Sequence, residues 1–535
     1  MAYLKRNSAG PCAAHNTSDS SVQRDRIFFA RLLLGLLLAL LVSAMVIALP
    51  VHSGFSVRHG RIFPPFWEQR AVFWLPASRA SFTMQTVTSG VVATTEVVPT
   101  FTGAQRLNTL SVDLTNPNVR LGVVQAHNRL LGPGETLSSM ALRSGAVAGI
   151  NGDFFEIQGS GAPLGLLKIN GQLWQSPDAS PVLGITASGR LTIGPETFVG
   201  SVVSGNASYP LQSINRYGDA RGNLLTLFTS APGSTLHLRG ADVVALLHPG
   251  GHHMLTVTAL QQNVTSLPAL SAQEEALVGS RNAGSWLSAH LRAGKTLSIQ
   301  ERITPDNNLA SALGGGAVLI RDGVLAQGLR TRSPGETRVR NPLTALGITR
   351  DGRRALLVVC DGHQADPNRS QGLTRVQMAG YLLTHGAYQA MLFDGGGSAE
   401  MVARLPGQRQ ASVLNSPSDG HERAIANGLF LYSTERQPGP ATSVVVNNDQ
   451  PLTLFTGTST PISAYALDAQ ANPAADLPQL TVLPAGLAAL SPGTITAGAQ
   501  TGQGQLLAQA GRVRTAVTLQ IIDAPSLLPA LLRPQ

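Results

Sequence analysis

Hydrophobic and polar positions change rhythm several times along the 535 residues, and each change marks a boundary. Residues 1–26 are polar and are expected to form a disordered cytoplasmic tail. Leu32 to Leu49 is an almost wholly apolar run without charge, about 18 residues and long enough to span a bilayer with little tilt. Arg24, Arg26 and Arg31 precede it, which favours a cytoplasmic N-terminus. Segment 27–50 therefore predicts a transmembrane anchor. A cleaved signal is the alternative, but Leu49-Pro50-Val51 is a poor cleavage site. Everything after about residue 52 is then expected outside the cytoplasm, membrane-anchored through 32–49, or secreted if the first 50 or so residues are removed. Segment 51–82 reads as a spacer.

From about 83 to 130, β-branched and aliphatic residues dominate and predict strands. A short helix is expected over 134–146, opened by Gly134-Glu135-Thr136, and a strand over 146–150 leads into Asn151-Gly152-Asp153-Phe154-Phe155. Asn170-Gly171 is a type I′ turn signal. Residues 240–310 show a more variable pattern. Val376, Met378-Ala379 and Leu382-Leu383 recur at helical spacing, with Thr374 as cap and Gly386 as stop, so a helix is predicted over 374–385. An apolar strand ending at Phe393 follows it. After Arg436-Gln437-Pro438-Gly439-Pro440 the pattern becomes a short alternation broken by Gly, Pro and Asn. That predicts a small β-sandwich over 441–524, of immunoglobulin-like type. The expected fold class is α+β: a mixed-sheet domain over 83–436 between the anchor and this sandwich.

Composition narrows the function. Only 13% of residues are charged, and the formal net charge is +9. Residues up to Arg61 hold seven basic and two acidic side chains, so most of the excess lies beside the apolar run. No cluster of Lys and Arg interleaved with aromatics follows, and nucleic-acid binding is not expected. Cys12 and Cys360 sit in unrelated settings and suggest neither a disulfide nor a thiolate metal site. The His248, His252, His253 group is interrupted by Pro249-Gly250-Gly251, which forbids the helix that a zincin spacing requires. No cofactor is expected, and the sequence leaves a metal undecided. Gly396-Gly397-Ser398-Ala399-Glu400 misses a nucleophile elbow at its last position.

The richest stretch is Met391-Leu392-Phe393-Asp394-Gly395-Gly396-Gly397-Ser398. An apolar strand delivers one carboxylate to a rim, and glycines then let a ligand approach the main chain closely. Taken in order, Asn151-Gly152-Asp153-Phe154-Phe155, Pro163-Leu164-Gly165, Gly314-Gly315-Gly316, Thr344-Ala345-Leu346-Gly347, Asp361-Gly362, Asp394-Gly395-Gly396-Gly397-Ser398 and Glu422-Arg423-Ala424-Ile425-Ala426-Asn427 resemble the phosphodiester glycosidase family over about 85–432. The resemblance implies hydrolysis of a bond between a sugar and a phosphodiester.

Such cleavage passes through an oxocarbenium-like state and wants a carboxylate near the anomeric carbon. Asp394 and Asp361 are the catalytic candidates, each following an apolar strand that the intervening helix is expected to set side by side. The main chain of Gly395, Gly396 and Gly397 with Ser398 is expected to cradle phosphate, and Arg423 to grip its oxygens. Asn151, Gly152, Asp153 and Asn427 complete the expected substrate-binding set, the two amides orienting sugar hydroxyls. One residue departs from the family pattern: Leu343 stands where relatives usually carry Arg, with Arg338 and Arg340 nearby in sequence. The expected partner is a carbohydrate phosphodiester of an envelope or extracellular glycopolymer. A non-catalytic glycan-binding protein, a polysaccharide-modifying transferase and a purely structural envelope protein remain as alternatives.

Overall fold

The computed structural model describes residues 81–100, 103–216, 223–250, 254–305, 308–330, 339–363, 370–434 and 438–523. The expected tail, anchor and most of the spacer lie outside them, as do Arg338, His252 and His253. No helix among the described residues is long and apolar enough to cross a membrane. Strands outnumber helices throughout, so the α+β expectation resolves into a mostly β architecture.

An eight-stranded sheet forms the main layer. Its order is Ser81–Thr88, Val91–Thr100, Gly103–Asp113, Arg354–Cys360, Leu343–Thr349, Ala387–Leu392, Val318–Arg321 and Val324–Leu325. The central strands are buried on both faces, which is why they read as apolar runs rather than as alternation. Leu357, Leu346 and Met391 point into one core, where they meet Ile150, Leu429 and Met401 of a five-stranded second sheet. Leu356, Val358, Ala390 and Leu392 point the other way and pack under Met378, Ala379 and Leu382 of the helix Arg375–Thr384.

That helix starts where the sequence placed it, with a reciprocal capping box. Thr374 Oγ1 accepts from Gln377 N at 3.2 Å, and Gln377 Oε1 accepts from Thr374 N at 2.9 Å, satisfying two donors the first turn leaves open. The shorter helix Leu137–Ser144 is capped by Thr136 and stopped by Gly145 in the left-handed conformation. Asn170 and Gly171 both have positive φ, as a type I′ turn demands. The supposedly variable region 240–310 is ordered β structure: a long hairpin, Leu236–Pro249 with Leu255–Leu267, curls around its own apolar core. The period-2 signal failed there because register shifts interrupt the pairing.

The C-terminal strands, Ser443–Val446 to Val513–Ile522, form sheets of two, four and three strands around a separate core that includes Val446, Ile495, Leu506 and Leu519, in the span where a sandwich is expected. It is joined to the larger domain through Asn472. Thr88 Oγ1 donates to its Oδ1 at 3.0 Å, Arg404 donates to the same oxygen, and its Nδ2 donates to Ser433 Oγ at 3.1 Å.

Phe430 is fully buried in the second sheet, its ring 2.5 Å from where a Cβ on Gly149 would lie. Phe430→Ala is expected to cost about 3–5 kcal/mol, measured by denaturant unfolding.

Candidate active site

Four chain segments converge at one edge of the two sheets. The strand Ala148–Asn151 runs out into Gly152-Asp153, and Ala387–Leu392 runs out through Phe393 into Asp394. Asn427–Ser433 begins there, and Leu309–Gly314 ends there. Their main chains lock together: Asp394 N donates to Gly152 O at 3.0 Å, Gly152 N to Asn427 O at 2.9 Å, and Gly316 N to Leu392 O at 2.8 Å. The scattered motifs of the sequence are thus neighbours in space.

The two amides do something other than was expected of them. Asn151 and Asn427 are each 1% exposed, and their side chains are committed within the protein. Asn151 Nδ2 donates to Asp394 O at 2.8 Å, while its Oδ1 accepts from Thr344 Oγ1 at 2.6 Å and from Glu400 N at 3.1 Å. Asn427 Oδ1 accepts from Asp153 N at 2.9 Å. They hold the carboxylate-bearing loops in place.

Asp394 sits half-buried, its Oδ1 accepting from Gly395 N at 2.9 Å. Burial raises its pKa, against the lowering pull of the Ser398 hydroxyl, the Gly395 amide and the Arg423 guanidinium. Asp153 is 4% exposed. Its Oδ2 accepts from Gly165 N at 2.6 Å, and a Cβ on Gly165 or Gly314 would approach that oxygen within 2.8 and 2.7 Å. The Pro-Leu-Gly and triple-glycine motifs are therefore the walls of the Asp153 niche. Burial, with further pressure from the charges of Asp178 and Asp394, pushes Asp153 up to about 7.

Asp361 is placed differently from expectation. The helix does link two parallel strands ending at one edge, but Leu343–Thr349 inserts between them, pairing Leu343 with Cys360 and Ala345 with Leu392. The strands ending at Asp361 and Asp394 are therefore two spacings apart, ~10 Å, and are not side by side. Asp361 is 2% exposed; its Oδ1 accepts from Ser416 N at 3.0 Å and its Oδ2 lies 3.7 Å from Arg106 Nε. Burial raises its pKa to about 6, opposed by the Ser416 amide, Arg106 and Asn415. Its partners are those of a residue pinning the 415–416 turn. The carboxylate that does feel Asp394 is Asp153.

The expected phosphate cradle is mostly spent. Gly395 N donates to the Asp394 carboxylate, Gly396 N to Pro342 O at 3.0 Å and Ser398 N to Gly395 O at 3.2 Å. Gly396 has φ +61°, so the tight turn does need glycine. Gly397 is needed for a different reason: a Cβ there would collide with the Arg423–Asp419 ion pair. Arg423, 28% exposed, lies 2.7 Å from Asp419 Oδ2 through Nη2 and donates through Nη1 to Ser398 Oγ at 3.3 Å. The guanidinium thus stands over the glycine turn, with a carboxylate occupying part of its fork. Leu343 lies in the apolar core beneath the helix Arg375–Thr384, and Arg340 donates to Gly372 O at 3.2 Å.

Sequence reading missed Glu400, which stands in an apolar stretch between Ala399 and Met401-Val402-Ala403; that interruption was its only signal. Glu400 is fully buried. Its Oε1 accepts from Arg423 N at 2.7 Å, and its Oε2 has no hydrogen-bond partner. Burial drives its pKa up to about 8, with Glu422 and Asp419 adding to the rise and the Arg423 amide and charge opposing it. At neutral pH it is a protonated acid holding the main chain of Arg423. Among the described residues, no group of three or more His, Cys, Asp or Glu is placed to hold a metal ion.

A family model described as phosphodiester glycosidase matches residues 261–432. Over that span the chain is similar to the phosphodiester glycosidase family, the same family its motifs resemble; the Asn151 and Pro163 motifs lie upstream and join it only through folding. Among solved structures, a hypothetical protein from Synechocystis superposes with TM-score 0.53 at 18% identity, covering 64% of this chain and 62% of that one. A protein of Burkholderia pseudomallei superposes with TM-score 0.50 at 22% identity, covering 62% and 74%. These likenesses are of fold. In sequence, the SPbeta prophage-derived uncharacterized protein YomE of Bacillus subtilis is 33% identical over 93 residues, 17% of this chain and 13% of that relative. The chain therefore spans only a small part of YomE.

Two outcomes test this geometry. Gly397→Ala is expected to displace Arg423 and Asp419, which a crystal structure of the variant would show as a broken contact between Arg423 and Ser398. For Glu400, the folded-state pKa of about 8 lies above the ordinary value of 4.5. The folded chain therefore keeps a proton that the unfolded chain has lost, and stability falls as pH rises through that window. Glu400→Gln should gain stability relative to the native chain between about pH 5 and about pH 9, read by denaturant unfolding at both ends.

Proposed function

We propose that the protein hydrolyses a glycosyl phosphodiester, with Asp394 as the carboxylate that serves the anomeric carbon. The observation that carries this reading is the Asp394–Asp153 pair. Asp394 stands half-buried at the rim and Asp153 lies deeper; burial pushes Asp153 up to about 7 and the charge of Asp394 adds to that rise, so the two carboxyl groups sit in unlike surroundings suited to unlike roles. Asp394 then acts as nucleophile or as base for water, stabilising positive charge at the anomeric carbon as the bond to oxygen breaks. The departing phosphodiester has a low pKa and needs little protonation; what it needs is donors. Arg423 and Ser398 stand beside Asp394 to bind its oxygens, with Asp419 swinging aside to free the fork. Asp153 supplies the protonated partner. Asp361 and the two asparagines position the loops.

The proposed location is outside the cytoplasm, tethered by residues 32–49, with an envelope or extracellular glycopolymer as substrate. The support is the uncharged apolar run behind three arginines. A second reading, binding of the same glycan without cleavage, is favoured by Leu343 in the position of the family arginine, since Arg340 is engaged elsewhere.

Incubation with UDP-N-acetylglucosamine and teichoic-type phosphodiesters decides between them. Native protein is expected to release free sugar, and Asp394→Asn to turn over about 10²–10⁴-fold more slowly with little change in KM. Equal turnover by both proteins removes Asp394 from the mechanism. Unimpaired glycan affinity with no hydrolysis by either protein establishes the binding reading.

A further inference from the structure

A cavity of about 390 Å³ lies at the junction of the two domains, formed by the loop after Met401–Ala403 on one side and the sandwich on the other. It includes no residue of the carboxylate cluster. Arg404 and Arg409 line it from the larger domain, and Tyr465, Asn472, Pro473 and Leu477 line it from the sandwich. Asp476 also lines it, but its Oδ2 accepts from Ala441 N at 3.0 Å.

We propose that this junction binds a saccharide carrying a negative charge, a phosphate or carboxylate on a sugar ring, separately from the Asp394 cleft. The volume falls within the range of small-ligand sites, roughly 300–1,000 Å³, and domain junctions are where such sites gather. Arginine is the side chain suited to a planar or tetrahedral oxyanion. Arg404 is already fixed for that role. Its main-chain N donates to Val147 O at 2.8 Å, its Nη2 donates to Asn472, and its Nε is buried without an acceptor. Asp468 is the charge set against it. Asn472 is held by Thr88 and Ser433 as well, so this wall is rigid before any ligand arrives. Tyr465, Pro473 and the 65%-exposed Leu477 supply apolar surface for the carbon face of a ring. Gly407 leaves room for the Tyr465 ring, which lies 3.0 Å from where a Cβ would be.

Calorimetric titration of the whole chain with N-acetylglucosamine 1-phosphate, N-acetylglucosamine and inorganic phosphate tests the proposal. The sugar phosphate is expected to show a binding event that Arg409→Glu weakens roughly tenfold or more, that Tyr465→Ala also weakens, and that Arg423→Ala, which removes the proposed phosphate grip of the Asp394 cleft, leaves intact. The neutral sugar is expected to bind more weakly. Because Arg423→Ala keeps this event, its presence or loss is independent of ligand held in the Asp394 cleft and of the proposed hydrolysis. Arg409 is exposed, and circular dichroism checks that its variant is folded. An isotherm unchanged by Arg409→Glu, or no binding at all, overturns the site. Inorganic phosphate binding as tightly as the sugar phosphate overturns the saccharide assignment.

Discussion

The side-chain amide of Asn151 is the constraint on which the site depends. It emerges from the second sheet and makes three hydrogen bonds, to the Asp394 carbonyl, the Thr344 hydroxyl and the Glu400 amide. Thr344 lies on the main sheet, and Asp394 and Glu400 lie in the turn that follows its strand Ala387–Leu392, all far from Asn151 in the chain. With 1% exposure, no water competes for these bonds, and leaving any of the partners unmade inside the protein would carry the full desolvation penalty of a buried polar group. At this edge the amide works beside the main-chain bond from Asp394 N to Gly152 O to register two sheets whose shared core is apolar. Apolar packing brings layers together without specifying their sliding position, whereas directional bonds do.

Around that clamp the protein keeps several carboxyl groups in surroundings that oppose ionisation. Asp153, Asp361 and Glu400 are all buried with raised pKa values, and in each case burial is the largest cause. Their compensation differs. Asp361 has a nearby guanidinium and an amide donor, Asp153 has one close amide, and Glu400 has one amide donor and an oxygen with nothing at all. Such a concentration of strained acids costs stability, and folds tolerate it where acid–base or binding work is done. The glycine-rich motifs are the other half of the same arrangement. At Gly165 and Gly314 the missing side chain makes room for Asp153, and at Gly397 it makes room for the Arg423–Asp419 pair. The glycines serve side chains more than they serve a main-chain nest.

Much was legible in the sequence where the signal was local. The helix over Arg375–Thr384 announced itself through apolar spacing and a capping residue, the Asn170-Gly171 turn through its residue pair, and the C-terminal strands through alternation. The glycine motifs in their order also pointed to the family whose model matches residues 261–432, because close approach to a carboxylate or an ion pair leaves only one residue type that fits. The hairpin over 236–267 was obscured, since shifts in register break the alternation by which strands are recognised.

By itself, then, the sequence determined that Thr374 would open a helix and that Asp394 would stand at a strand end beside glycines. Only the tertiary structure decided which acids work together. A strand inserted between those ending at Asp361 and Asp394 separates the pair that seemed natural, and the folding of residues 148–153 against Phe393 and Asp394 installs Asp153 instead. It likewise turned Asn151 and Asn427 from apparent ligand contacts into internal ties, and revealed Glu400. The physical reason is that strand order and burial are set by long-range packing, which no local pattern encodes, while a carboxylate's chemistry follows from its neighbours in space.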